Sequence, residues 1–256
     1  MSLRGKIAVV TGGANGIGAA MASRLRADGA TVAMVDVQEP KAELLADQAG
    51  QGAGVFFACD VVDGAAVADC AAQILGRLGP VAILVNNAGG SGKTPARTIE
   101  EHSDDIWHYV MDLNVTSIIR FCRALVPGMR QAGFGRIINI SSGSRHGMAG
   151  PFPTMKSHLA YATAKGTQVT LTRQLATDLG PSGITCNAIA PGMILPDPEA
   201  RITRIIMEQP EEFRAGMLAR IPSRRFGNGQ DIAAVAAFLA SEESAYVNGQ
   251  TIDVTG

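Results

Sequence analysis

Apolar positions in this chain fall into short, nearly continuous runs separated by longer stretches with helical spacing. Lys6–Thr11, Thr31–Asp36, Gly54–Cys59, Val81–Asn86, Arg136–Ser141 and Ile184–Ala190 lack the polar alternation of a half-exposed strand, which predicts strands covered on both faces. Between them, Ile17–Ala27, Ala65–Leu78 and Thr116–Gln131 carry helical periodicity and are punctuated by glycine. Asp231–Ser241 and Gln250–Val254 add a last helix and strand. Strands alternating with helices of this length predict βαβ units and a parallel sheet, and right-handed crossovers put helices on both faces. The expected fold is α/β, a doubly wound parallel sheet of the Rossmann type with about seven strands. No linker, repeat or charge block divides the chain, so a single domain over 1–256 is expected. Only Gly192–Arg225, rich in Pro, Met, Arg and Glu, breaks the rhythm; it reads as a helical insertion over the open end of the sheet.

Composition narrows the function classes. Of 256 residues, 46% are apolar and 18% charged, with 30 Gly and 12 Pro, which argues against a disordered or low-complexity chain. Twenty-two basic and 23 acidic residues leave a formal net charge of −1, so no global field draws in nucleic acid or an anionic membrane. No apolar run approaches the ~20 residues of a membrane span. The N-terminal MSLRGKIAVVTGG leads into glycines instead of a small-residue cleavage site, so no signal peptide is expected. Cys59, Cys70, Cys122 and Cys186 have no CxxC spacing and read as small buried residues of a reducing compartment, with the cytoplasm as default.

The first strand runs into Thr11-Gly12-Gly13-Ala14-Asn15-Gly16-Ile17-Gly18, which opens an apolar helix. Glycines let the backbone approach a pyrophosphate, and the helix start offers unpaired N–H donors and a favourable dipole. The spacing differs from the common G-x-G-x-x-G, but its place after the first strand of a βαβ unit fits a dinucleotide site. Asp36 ends the second strand, close to the offset at which an acid meets the adenosine ribose. A carboxylate there accepts from the 2′-hydroxyl and repels a 2′-phosphate. With Asn15 and Val37 as neighbours supplying no cation, NAD(H) is expected over NADP(H).

Tyr161-Ala162-Thr163-Ala164-Lys165 puts a phenol and an ammonium on one helix face. A fixed cation favours the phenolate and brings a tyrosine toward working pH, as general acid–base catalysis requires. Three further features accompany the pair. Gly135–Gly143 is a strand ending in Ser141 and Ser142, Val85–Gly89 ends another strand with Asn86 and Asn87, and Asn114 interrupts a long helical pattern.

In that order, these motifs resemble the short-chain dehydrogenase/reductase family in its single-domain branch, and the likeness spans essentially the whole chain. It implies that Tyr161 is the acid/base, that Lys165 lowers its pKa and holds the nicotinamide ribose, and that Ser142 rather than Ser141 hydrogen-bonds the substrate oxygen. Asn114 would hold a water leading from Lys165 to solvent. Gly12, Asn15, Gly16, Ile17, Gly18 and Asp36 would hold the dinucleotide, with Asp60 and Val61 at the adenine. Asn87, Ala88 and Gly89 would form the cofactor wall, and Pro191, Gly192 and the Ile194 backbone would border the nicotinamide. No metal is expected, since His102, His108, His146 and His158 lack HExxH or CxxC company and His102 and His108 read as loop or surface residues.

Three departures from the family pattern stand out. Many members place serine and tyrosine closer together than the nineteen positions between Ser142 and Tyr161. The extra residues, Gly147–Leu159, would put Met148, Phe152, Met155 and Leu159 around an apolar substrate pocket, with His146 or His158 as a polar contact. The threonine often found after Pro-Gly is absent from Pro191-Gly192-Met193-Ile194-Leu195-Pro196, and the sequence stops at Val254-Thr255-Gly256. Residues 192–225 would form a substrate lid with an apolar lining and with Arg201, Arg204, Arg214 and Arg220 available to an anionic tail. The expected activity is the interconversion of a secondary alcohol and a ketone with NAD(H), by a homotetramer whose partner is a small molecule. A 3-oxoacyl-thioester reductase, a sugar or polyol dehydrogenase, and a non-catalytic dinucleotide sensor or scaffold are the alternatives.

Overall fold

The computed structural model describes residues 2–46, 50–147 and 156–256. Every predicted strand is present. Seven strands, β1 (Ile7–Thr11), β2 (Thr31–Asp36), β3 (Gly54–Ala58), β4 (Ile83–Asn86), β5 (Gly135–Ile140), β6 (Ile184–Pro191) and β7 (Thr251–Val254), form one sheet in the order β3-β2-β1-β4-β5-β6-β7. All six pairings are parallel. The order reverses between β1 and β4, and at such a switch point the strand ends diverge to leave a crevice at the carboxyl edge.

The unbroken apolar runs have the expected cause. On β1, Val9 faces one core while Ala8 and Val10 face the other, all three fully buried. The Val9 side is covered by α2 (Gly64–Leu78), α4 (Ser117–Ala132) and α5 (His158–Leu179), and the other side by α1 (Gly16–Ala27) and α8 (Gly229–Ala240). Polar signals fix where the helices begin. Asp63 caps α2 by accepting from Ala65 and Ala66 N–H at 2.8 and 3.1 Å, and Asn228 with Asp231 closes a capping box on α8. Gly229 lets α8 approach α1 closely, since a Cβ there would lie 2.6 Å from Ala20 Cβ. The four cysteines are buried and unpaired, as expected.

Two local features differ in kind from a plain α-helical reading. Between α3 (Asp104–Met111) and α4 the helix widens to a π-turn over Asp112–Thr116, where the sequence reading places the break at Asn114. The segment 192–225 contains two short helices, α6 (Arg201–Met207) and α7 (Glu211–Ala219), consistent with a helical insertion.

Candidate active site

The chain leaves β1 at Thr11 and turns through Gly12 in the left-handed region, with φ +61°, before α1 starts at Gly16. Asn15 is the N-cap yet makes no side-chain cap bond, and no acidic side chain sits in the first turn. Its N–H groups can therefore serve an anion. Gly18 passes directly beneath the turn: a Cβ there would stand 1.9 Å from the Gly12 carbonyl oxygen and 2.6 Å from Asn87 Nδ2. Above Gly16 the space is open, with only Pro196 Cγ near, at 3.7 Å from a Cβ built there.

Thr11, which opens the glycine motif but was given no role of its own from the sequence, ties this turn to β4. Its buried Oγ1 accepts from the N–H groups of Asn87 and Ala88, both at 3.0 Å. Asn87 Nδ2 in turn donates to the carbonyls of Thr11 and Gly12 at 3.0 and 2.9 Å. In the sequence Thr11 looks like an ordinary β-branched strand residue.

Asp36 closes the far side of the crevice. Its two oxygens accept from Ala14 and Gln38 N–H, each at 3.1 Å. Asn15 and Gln38 pair with each other beside it at 3.1 Å, and Lys41 is engaged with Glu199 at 2.8 Å. Further along the edge, Asp60 Oδ1 accepts from Val62 N–H at 3.0 Å, and Arg120 pins this turn through the carbonyls of Val61 and Val62. At the other end, Gly192 N–H donates to Val254 at 2.9 Å, and buried Ile194 is clamped by a bridge to Gly227. An open helix start, a glycine cradle and a strand-end carboxylate fit a dinucleotide lying across the switch point.

The residues expected to handle protons converge on the same edge. Asn86 and Asn139 are register partners on β4 and β5 and share a 2.9 Å hydrogen bond, while Asn139 Nδ2 reaches Thr172 on α5 at 2.9 Å. Ser141 Oγ donates to the Lys165 carbonyl at 2.8 Å, so this serine fastens α5 to the sheet. Ser142 instead accepts from the Ser144 N–H and hydroxyl at 3.2 and 2.9 Å and hydrogen-bonds the Tyr161 phenol. Lys165 lies one turn beyond Tyr161. Its Nζ is 5.6 Å from the tyrosine ring centroid and donates to the Ile140 carbonyl at 2.7 Å.

The fully buried Asn114 is held on all sides. Its Nδ2 donates to the carbonyls of Gly90 and Val110, both at 2.8 Å, and its Oδ1 accepts from Gly90 N–H at 3.1 Å. Gly89 leaves it room: a Cβ there would lie 2.6 Å from Asn114 Oδ1 and 3.2 Å from Lys165 Nζ.

Burial dominates the electrostatics of Tyr161 and Lys165. Burial pushes the Tyr161 phenol above its ordinary value, and the Ser142 hydrogen bond only partly opposes this. Burial also brings Lys165 down to about 7. Desolvation is the leading cause at both groups and favours the neutral form of each.

Met148, Phe152 and Met155 lie outside the described residues. Leu159 is exposed, and His146 is on the 3₁₀ turn Gly143–His146. His102 does more than occupy a loop, since its ring nitrogens bond the Thr98 carbonyl and buried Ser157 Oγ, each at 2.7 Å. Among the described residues, no group of three or more His, Cys, Asp or Glu is placed to hold a metal, and no helix is long and apolar enough to cross a membrane.

A family model described as enoyl-(acyl carrier protein) reductase matches residues 12–256. The 3-oxoacyl-[acyl-carrier-protein] reductase FabG of Salmonella typhimurium is 37% identical over 257 residues, covering 100% of this chain and 98% of that protein. The chain belongs to the short-chain dehydrogenase/reductase family. Another relative within it, the D-threitol dehydrogenase of Mycolicibacterium smegmatis, is 36% identical over 99% of this chain and 93% of its own. The crystal structure of levodione reductase superposes with a TM-score of 0.86 at 30% identity, covering 99% and 97% of the two chains. A protein described as an NAD(P)-dependent gluconate 5-dehydrogenase of Beutenbergia cavernae, with NADP bound at low occupancy, matches with a TM-score of 0.84 at 33% identity over 99% and 96%. As a member of the short-chain dehydrogenase/reductase family, the chain is a nicotinamide-dinucleotide-dependent oxidoreductase working between CH–OH and carbonyl groups.

Proposed function

We propose that the protein interconverts a secondary alcohol and a ketone, using NAD(H) in preference to NADP(H). The observation that carries this reading is the meeting of Ser142, Tyr161 and Lys165 at the carboxyl edge of β5, beside the Gly12–Gly18 cradle. Bound nicotinamide accepts or gives the hydride. Tyr161 exchanges a proton with the substrate oxygen, and Ser142 holds that oxygen and the phenol in line. Lys165 sets the charge of the pair and holds the nicotinamide ribose, and Asn114 fixes the wall behind it. Gly12, Asn15, Gly16, Ile17 and Gly18 receive the pyrophosphate, and Asp36 the adenosine ribose. Asp60 and Val61 lie at the adenine, Asn87, Ala88 and Gly89 along the cofactor, and Pro191, Gly192 and Ile194 at the nicotinamide.

The preference for NAD(H) rests on Asp36, whose charge opposes a 2′-phosphate, and on the uncharged Asn15–Gln38 pair beside it. Residues 192–225 act as the substrate lid of a single domain, and a cytoplasmic homotetramer is the working assembly. A second reading, reduction of 3-oxoacyl thioesters, is favoured by the likeness to the Salmonella reductase over nearly the full length of both chains.

Tyr161→Phe tests the central role. It is expected to keep NADH affinity while kcat falls by at least ~10²-fold, the scale of general acid–base catalysis. Comparable turnover in the variant removes Tyr161 from the chemistry. Following nicotinamide absorbance with NAD and NADP in parallel, against secondary alcohols, polyols and 3-hydroxyacyl thioesters, separates the two substrate readings. Turnover of thioesters alone with NADP would overturn both the substrate and the nucleotide assignment.

A further inference from the structure

We infer that Gln168 is a positioning residue for the proton-handling side of the site, fixing the Asn114 carbonyl through one end of its amide and seating a water with the other. Tyr161, Lys165 and Gln168 follow at four- and three-residue steps along α5 and so share one face of it. Gln168 is only 1% exposed, and its Nε2 donates to the Asn114 carbonyl at 2.6 Å. A carbonyl can only accept, so this contact fixes which end of the amide is which. The Oε1 end is then buried and meets no donor among the described residues. The other buried polar side chains of the same helix, Lys165 and Thr172, are both partnered, by the Ile140 carbonyl and by Asn139, and the remaining buried positions are Ala160, Ala164, Ala176 and Leu179.

The π-turn makes this arrangement possible. Asn114 stands in the widened stretch Asp112–Thr116, and its side chain is spent on Gly90 and Val110. Its backbone carbonyl is what it offers to α5, and Gln168 takes one of that oxygen's two lone pairs. Lys165 Nζ lies beside the Asn114 side chain: a point at Gly89 is 2.6 Å from Asn114 Oδ1 and 3.2 Å from Nζ. Lys165 spends one proton on Ile140 and keeps two others. A water that donates to Gln168 Oε1 keeps its other hydrogen and its own oxygen for two further partners, and so meets the two-to-four partners a buried water needs. No apolar residue at position 168 would hold it.

This inference rests on the roles proposed for Tyr161 and Lys165, and the test separates the two. The pH dependence of kcat and KM for alcohol oxidation is measured for the native protein, Gln168→Met and Gln168→Glu. Methionine keeps the volume and removes both polar ends. Without the water the ammonium loses support and favours the phenolate less, so the acid limb of the kcat profile is expected to move to higher pH by about 0.5–1 unit, with KM for the nucleotide unchanged. In Gln168→Glu the protonated acid can still donate to Asn114 while the carboxylate cannot. Its kcat is expected to approach the native value at low pH and to fall below it as pH rises.

Native-like profiles in both variants would overturn the inference and leave Gln168 as packing. Should Gln168→Met not fold, Gln168→Glu decides by the same criterion. A phenol titration of Tyr161, read by ultraviolet difference absorbance against Tyr161→Phe, needs no turnover. Curves shifted by Gln168→Met support the inference even if the substrate reading fails, and superimposed curves count against it. Native-like turnover in Tyr161→Phe would instead overturn the reading on which the inference rests.

Discussion

Gly18→Ala probes whether the cradle between β1 and α1 is as tight as its geometry implies. The new Cβ would stand 1.9 Å from the Gly12 oxygen, 2.8 Å from the Gly12 carbonyl carbon and 2.6 Å from Asn87 Nδ2. Ordinary contact lies well beyond these distances, so the turn must move by at least about 1 Å. Neither neighbour can yield freely. Gly12 N–H is bound to Val35 at 2.7 Å, and Asn87 is held by its bonds to Thr11 and Gly12. Overpacking of this kind costs ~1–3 kcal/mol of stability, and a 1 Å misplacement of a binding group costs ~10²-fold in function.

The expected result is an NADH dissociation constant raised by about a hundredfold in a fluorescence titration. The melting temperature is expected to fall by several degrees, at about 2–4 °C per kcal/mol for a chain of this size. Gly76→Ala is the control. It lies exposed inside α2 with nothing within 4 Å of the added Cβ, so it should bind NADH normally and gain ~0.5–1 kcal/mol. Normal NADH affinity and native stability in Gly18→Ala would refute the claim that the turn and helix start are locked together.

Asp36→Ala is expected to narrow the NAD-over-NADP ratio of kcat/KM by about tenfold or more, and an unchanged ratio would remove Asp36 from nucleotide selection. The variant should also melt lower, because Ala14 and Gln38 lose a charged acceptor. Lys165 predicts a pH dependence of stability. Below about 7 it is protonated both in the fold and in the unfolded chain, and the cost of burying the ammonium is fully present. Between about 7 and its ordinary 10.5 only the unfolded chain holds the proton, so stability rises with pH. Urea denaturation at pH 7 and 9 should therefore show the native protein gaining on Lys165→Met, by at most about 1.4 kcal/mol per pH unit. A constant difference between the two would contradict the desolvation assigned to Lys165.

Much of the fold was legible because both faces of this sheet are covered. Strands such as Ile7–Thr11 and Ile184–Pro191 have no solvent side to interrupt their apolar runs, and glycines mark the turns between elements. The order of the motifs from Thr11–Gly18 to Tyr161 and Lys165 placed the site at the carboxyl edge, since each follows a strand or opens a helix there. Local sequence was enough for these because each depends on residues a few positions apart.

Other features depend on partners distant in the chain, which spacing cannot report. Thr11 gains its role from Asn87 and Ala88, Gln168 from Asn114, and His102 from Ser157. Ser141 and Ser142 are adjacent and chemically identical, yet the strand's alternation sends one to the Lys165 carbonyl and the other to the Tyr161 phenol. The charge state of Tyr161 and Lys165 also belongs to the tertiary structure. A lysine near a tyrosine in sequence suggests attraction, but burial of both groups decides the balance, because the cost of desolvating a charge is set by what surrounds it in the folded protein.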